Sequence, residues 1–180
     1  SEPIRSLSAH SGIVIAGCGS GHNNHKVIGY DAETGESMWT VSVAGTPSTQ
    51  MAVDEELVYI GTNAGTTHAI DMHGEEWWTF RSDEMGSSGW ISKKLLPGYR
   101  TYGVSGPPTV AGDVVLFGSD DGNMYALDAK SGELSWKHHV CICDKPRGGI
   151  RCQPVVDDGV IYTVEFASTK NEYKRGYVHA

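Results

Sequence analysis

Short apolar, β-branched runs alternate along the chain with clusters of Gly, Asp, Asn and Ser, and no segment keeps a helical period. The pattern is fullest between Val114 and Trp136. VVLFGS (Val114–Ser119) reads as a buried strand, and Asp120-Asp121-Gly122-Asn123 reads as a turn whose residues tolerate positive φ. MYALDA from Met124 is the returning arm. Lys130-Ser131-Gly132 breaks that arm, and Glu133-Leu134-Ser135-Trp136 opens a third with a large aromatic to bury. The unit is a meander.

The meander recurs. Ile13 to Gly17 followed by Val27 to Trp39 repeats it, as does Leu57 to Gly61 followed by His68 to Trp78. Three anchors stay in phase: Asp31, Asp71 and Asp128; Gly35, Gly74 and Gly132; Trp39, Trp78 and Trp136. A fourth copy begins at Gln153–Phe166 and continues at Gly176–Ala180, without the Asp, the Gly turn or the Trp strand. A period of about 40 residues with four short strands per copy predicts an all-β fold, a β-propeller of four-stranded antiparallel blades. The blades fall at 3–43, 47–80, 107–140 and 153–180, with insertions at 81–104 and 141–152. The fourth blade is expected to be incomplete, its edge supplied by further blades of a longer propeller or by another chain, because an uncovered strand invites aggregation.

The repeated wording, Ala-Leu-Asp-Ala-x-Ser/Thr-Gly-Glu-x-x-Trp, resembles the repeat of the PQQ-like (quinoprotein alcohol dehydrogenase-like) propellers. The resemblance covers nearly all of the chain outside the insertions. It implies two kinds of function, because the repeat is shared by quinone-dependent dehydrogenases and by cofactor-free scaffolds. A dehydrogenase of this family would hold PQQ and Ca²⁺ in a central funnel and oxidise alcohols or sugars. Its adjacent Cys pair has no counterpart here, since Ile142 separates Cys141 from Cys143. The favoured expectation is a non-catalytic scaffold without a cofactor, extracytoplasmic (periplasmic or secreted), that holds a protein partner or further blades.

Composition narrows the choice. With 39% hydrophobic and 20% charged residues the chain is of ordinary globular type, and its 23 Gly suit a fold of tight turns. A net charge of −8 argues against nucleic acid as a partner, and no apolar run is long enough for direct membrane insertion. Only the loop from Lys145 to Arg151 is locally basic.

In a meander, the turn after the second strand and the connection to the next blade lie on one face, and the other two turns lie opposite. All the lengthened segments fall in the first class: Cys18–His25, Arg81–Val104, Cys141–Cys152 and Ala167–Arg175. Binding residues belong on such loops. The candidate partner-binding residues are Trp90, Lys93, Lys94, Tyr99, Arg100, Tyr102, Lys145, Arg147 and Arg151. Trp39, Trp78 and Trp136 are expected to pack between blades, a docking role the family resemblance also implies. Asp31, Asp71 and Asp128, repeated by symmetry, suit turns better than a carboxylate triad. Asp120–Asn123 lacks the further oxygen ligands of a calcium loop. Cys141, Cys143 and Cys152, near His138 and His139, allow a disulfide from Cys152 to Cys141 or Cys143, a metal site, or free thiols, and the spacing falls short of a zinc signature. A bridge there would leave Cys18 to pair with the remaining cysteine. His22 and His25 read as solvent-facing.

Overall fold

The computed structural model describes residues 3–19, 24–82, 103–140, 148–169 and 172–179, which form strands and turns and no helix. The first sheet takes β1 (Ile4–His10), β2 (Ile13–Cys18), β3 (Lys26–Asp31) and β4 (Ser37–Ser42) in sequential antiparallel order. The second repeats the order with β5 (Ala52–Val53), β6 (Leu57–Gly61), β7 (Thr66–Asp71) and β8 (Glu76–Arg81). The third uses β9 (Thr109–Ala111), β10 (Val114–Gly118), β11 (Asn123–Asp128) and β12 (Leu134–His139). These sheets are consecutive blades of a β-propeller. In the fourth, β13 (Gly148–Ile150) and β14 (Val155–Asp157) both pair with β15 (Val160–Thr169), and so does β16 (Glu172–His179).

Blades bury both faces of their middle strands, which explains why β6 is apolar throughout instead of alternating. Val58 and Ile60 meet Ile15, Val27 and Val43 of blade one, whereas Leu57 and Tyr59 meet Val115, Phe117 and Leu127 of blade three. Phe117 and Tyr125 stack at 5.3 Å, with Phe80 of blade two edge-on to both. The core between blades three and four is smaller: Met124, Val140 and Ile150, with Cys152 and Ile161 against them.

The innermost strand is split in three blades. A bridge Pro47↔Thr62 precedes β5, a bridge Val104↔Ser119 precedes β9, and β13 precedes β14. The first piece also ties each blade to the one before it. Val104 N donates to Thr62 O (2.9 Å) and Ile150 N to Ser119 O (3.1 Å). Pro47 holds the corresponding place in blade two and has no N–H to give. There the Thr62 and Thr66 hydroxyls each lie 2.7 Å from the Ala44 carbonyl, which they reach from blade two.

Two expectations about blade four change. The insertion placed at 141–152 contains β13, so the blade's inner strand begins before residue 153. Its Gly148-Gly149-Ile150 sequence carries no alternation to read, and Gly149 is needed because a Cβ there would come within 2.7 Å of Asp120 Cα. The segment 167–175, expected to be a loop, is largely strand: Ala167↔Lys174, Ser168↔Tyr173 and Thr169↔Glu172 are paired. Backbone pairing sustains this polar hairpin, and no apolar period marks it. No helix among the described residues is long and apolar enough to cross a membrane.

Candidate partner-binding face

The two faces of the blade array are built differently. On the tight-turn face, Asp31 Oδ1 accepts from Glu33 N (3.0 Å) and Thr34 N (2.7 Å), and Asp128 Oδ1 from Lys130 N (3.1 Å) and Ser131 N (2.8 Å). Asp71 Oδ1 does the same for His73 N and Glu75 N. Backbone bonds from Thr34 and Ser131 hold the Asp31 and Asp128 carboxyls below the usual range. For Asp71, desolvation pushes upward and the bonds from Glu75 and His73 outweigh it. These carboxylates are turn formers. The face is strongly acidic, since Asp54, Glu55, Glu56, Asp113, Asp157 and Asp158 occupy its remaining turns, against Lys130 and His73 among the described turn residues. A cleft of about 410 Å³ lies there between blades two and three, lined by Asp54, Glu56, Asp113, Asp128 and Lys130 among others.

Above those turns the tryptophans lock successive blades. Trp39 Nε1 donates to Met72 O (2.8 Å) and Trp78 Nε1 to Ala129 O (2.9 Å), in each case the residue after the next blade's Asp. The indoles lie on Gly74 (φ +86°) and Gly132 (φ +71°), where a Cβ would come within 2.8 Å of Trp39 Cγ and 2.5 Å of Trp78 Cδ2. Trp136 departs from the expectation of burial. It is 38% exposed, because no corresponding turn stands beside it among the described residues of blade four.

The other face gathers the strand ends that carry basic side chains: Arg5, Lys26, Arg81 and Arg151. Arg151 Nε donates to Asp120 Oδ1 (2.9 Å), and Ser105 Oγ donates to Asp120 Oδ2 (2.8 Å). That joins blade four to blade three while leaving the Arg151 side chain half exposed. Asp121 makes the turn itself, accepting from Asn123 N (2.9 Å) and Tyr125 Oη (2.6 Å). Trp90, Lys93, Lys94, Tyr99, Arg100, Tyr102, Cys141, Cys143, Lys145, Arg147 and His22 lie outside the described residues.

Cys152 is a free thiol whose Sγ accepts from Val164 N (2.9 Å), and Cys18 is buried with its Sγ 4.0 Å from Ala16 O. His25 Nδ1 contacts Thr46 Oγ1 (3.1 Å), and His139 Nδ1 contacts Asn123 Oδ1 (3.0 Å). Among the described residues no group of three or more His, Cys, Asp or Glu side chains converges as a metal's ligands would.

Sequence reasoning missed the Asp120–Arg151–Ser105 cluster and a buried clasp in blade two. His68 Nδ1 lies 2.6 Å from Glu76 Oε1 and its Nε2 3.0 Å from Thr66 Oγ1. The clasp did leave a signal: His68 stands where the other blades have Ile28 and Tyr125.

The family model described as "Outer membrane protein assembly factor BamB" matches residues 23–140 and 82–175. The chain belongs to the BamB family. A curated BamB-family relative, the outer membrane protein assembly factor BamB of Yersinia pestis, is 24% identical over 180 residues, covering 92% of this chain and 42% of the relative. The crystal structure of BamB from Moraxella catarrhalis matches with a TM-score of 0.68 at 22% identity, over 92% of this chain and 44% of that one. Quinohemoprotein alcohol dehydrogenase from Comamonas testosteroni matches with a TM-score of 0.67 at 17% identity, over 92% and 29%. The chain therefore spans less than half the length of these relatives. A BamB and a dehydrogenase superpose on it equally well, so the shared fold does not choose between them.

Proposed function

We propose that this BamB-family chain is a non-catalytic propeller scaffold, extracytoplasmic, that holds a protein partner on its long-loop face during outer membrane protein assembly. The observation that carries the reading is the division between the two faces. The turns between first and second and between third and fourth strands, with most of the acidic side chains, lie on one, whereas the basic strand ends lie on the other, beside the short turns at 62–65 and 119–122. Arg151, held at Nε by Asp120 and half exposed, offers its guanidinium to an acidic or polar partner segment. Family membership supplies the assembly context.

A photo-crosslinking side chain placed at Arg151 should capture outer membrane assembly proteins in cells, and the same probe at Asp158 on the opposite face should not. Equal capture from both positions would end the proposal. The rival reading, part of a quinoprotein dehydrogenase, draws on the equally good superposition with the Comamonas enzyme. Saturable binding of PQQ with Ca²⁺ and dye-linked alcohol oxidation would establish it in place of the scaffold.

A further inference from the structure

The clasp around His68 reaches the seam between blades one and two. His68 is 3% exposed; it alternates with Ile70 and pairs with Ile60, which turns its ring toward blade one. Its Nδ1 lies 2.6 Å from Glu76 Oε1, which also accepts the Thr79 hydroxyl (2.9 Å), and its Nε2 lies 3.0 Å from Thr66 Oγ1. Thr66 Oγ1 in turn lies 2.7 Å from Thr62 Oγ1, and both hydroxyls lie 2.7 Å from Ala44 O, on the connection that leaves blade one. This is the corner where Pro47 has no amide to give across the seam. The corresponding residue of blade three, Tyr125, bonds instead to Asp121 in its own turn.

One hydrogen decides what holds Ala44. A carboxylate accepts and cannot donate, so the Glu76 contact places a hydrogen on Nδ1 in either charge state of the imidazole. Nε2 is then bare when the ring is neutral and carries a hydrogen when the ring is charged. A bare Nε2 takes the Thr66 hydrogen, and only Thr62 is left to donate to Ala44 O. A protonated Nε2 donates to Thr66 Oγ1, and the Thr66 hydrogen turns to Ala44 O beside that of Thr62. On the side His68 faces, blade one presents Ile15, Val27, Val41 and Val43, and β6 presents Val58 and Ile60, none of them ionisable. The strand β8 presents Glu76 and, opposite Thr66, Arg81, while His25 stands beyond Ala44 against Thr46 Oγ1. The Glu76 side chain is 38% exposed and gives solvent protons a way to the buried ring.

We infer that His68 is a proton-operated latch on the seam between blades one and two: the charged imidazole leaves both threonine hydroxyls on Ala44 O, and the neutral one withdraws Thr66 from it. Acid tightens the corner that holds Ala44 and the 62–66 turn, and base loosens it. Histidine is the side chain that changes charge between about pH 5 and about pH 8, so the latch works well above the range in which the turn aspartates take up protons. The corner lies on the long-loop face, and the latch sets how firmly two adjacent supports of that face are joined. The inference stands whether or not the face binds a protein.

The test follows the ring nitrogens of His68 and the carbonyl carbon of Ala44 by NMR in the full chain, between about pH 5 and about pH 8. The neutral ring should carry its hydrogen on Nδ1, and the Ala44 carbon should move downfield with the same midpoint as the His68 titration. The Asn63 amide donates to Thr46 O (3.0 Å) at the same corner. Corrected for intrinsic rate, it should exchange about fivefold more slowly when the ring is charged, the effect of one added hydrogen bond. Thr66→Val should leave the His68 titration in place and abolish the responses of Ala44 and Asn63. A neutral ring with its hydrogen on Nε2 overturns the proposal, as does a His68 that keeps one charge state throughout, and both are read on the unaltered chain. Undiminished responses in Thr66→Val also overturn it, by assigning the pH dependence to His25.

Discussion

Trp78 and Trp136 occupy the same place in consecutive blades, yet one is 9% exposed and the other 38%. Both follow the same frame of Asp, Gly-Glu and Trp. What differs is the neighbour: Trp78 meets the turn of blade three, with Ala129 O at 2.9 Å, Gly132 under its ring and Tyr59 at 5.9 Å. Trp136 meets no such turn among the described residues. A repeat therefore encodes half of an interface, and the energy of the docking residue belongs to the pair of blades.

The largest effect should separate these two positions. Trp78→Ala should destabilise the protein by about 3–5 kcal/mol, the range for truncating a buried large aromatic, while Trp136→Ala should cost about 0.5 kcal/mol or less. Urea unfolding of the two variants measures the gap, and equal losses would show that Trp136 is docked in solution.

The glycines test the same contrast from the receiving side. Gly35 and Gly132 both have positive φ (+73° and +71°), but a Cβ at Gly35 would meet nothing within 4 Å, whereas at Gly132 it would meet the Trp78 ring. Left-handed strain of about 1–2 kcal/mol falls on both alanine variants. Gly132→Ala should add an overpacking cost of about 1–3 kcal/mol, read as the difference between the two denaturation midpoints.

Within the closed interface, Tyr59 Oη donates to Asp54 Oδ2 at 2.7 Å and lies 3.3 Å from Ala129 O, which also takes the Trp78 N–H. Burial, with Asp54 beside it, drives the phenol pKa upward, so Tyr59 stays a donor throughout the working pH range. Tyr59→Phe should cost about 0.5–1.5 kcal/mol in the same unfolding assay.

The smallest effect concerns acid. Asp31 and Asp128 have folded pKa values below the ordinary 3.8, held there first by the backbone N–H groups of Thr34 and Ser131. Such a group stabilises the fold above its unfolded pKa, and that contribution disappears as pH falls through the lower folded value. Stability should decline below about pH 4, and Asp128→Asn should make the decline shallower. Asp31→Asn should do the same to a similar extent, since both turns are exposed whether or not an indole is docked above them. A much larger effect at Asp128 would mean that docking tightens its turn.

Most of the fold was legible because its signals are local. The Asp, Gly and Trp anchors each answer a demand within one blade: a carboxylate for turn N–H groups, a left-handed residue, and a large apolar ring. What stayed hidden depends on contacts between blades or on backbone alone. Gly148-Gly149-Ile150 has no apolar alternation and forms β13 by pairing with β15, while the polar arms around Thr169 and Glu172 pair through their backbones with no apolar alternation in their sequence. In the candidate face, Arg151 was marked by its basic surroundings, but its tie to Asp120 joins residues far apart in the chain and had no local sign. The exposure of Trp136 has the same source, since its burial depends on a neighbouring turn that is not among the described residues.

Pro47 carries a consequence for the order in which the array comes apart. Between blades two and three, and again between three and four, an inner-strand amide is engaged across the seam, by Val104 and Ile150. The seam between blades one and two has proline at that station and relies on threonine hydroxyls, which can rotate away without disturbing the backbone. At this station blade one is thus tied to blade two by side chains alone, the Trp39 indole being a further bond across that seam. Under native conditions its amides should exchange with deuterium through a partial opening that leaves the stacked Phe117 and Tyr125 of the next seam undisturbed.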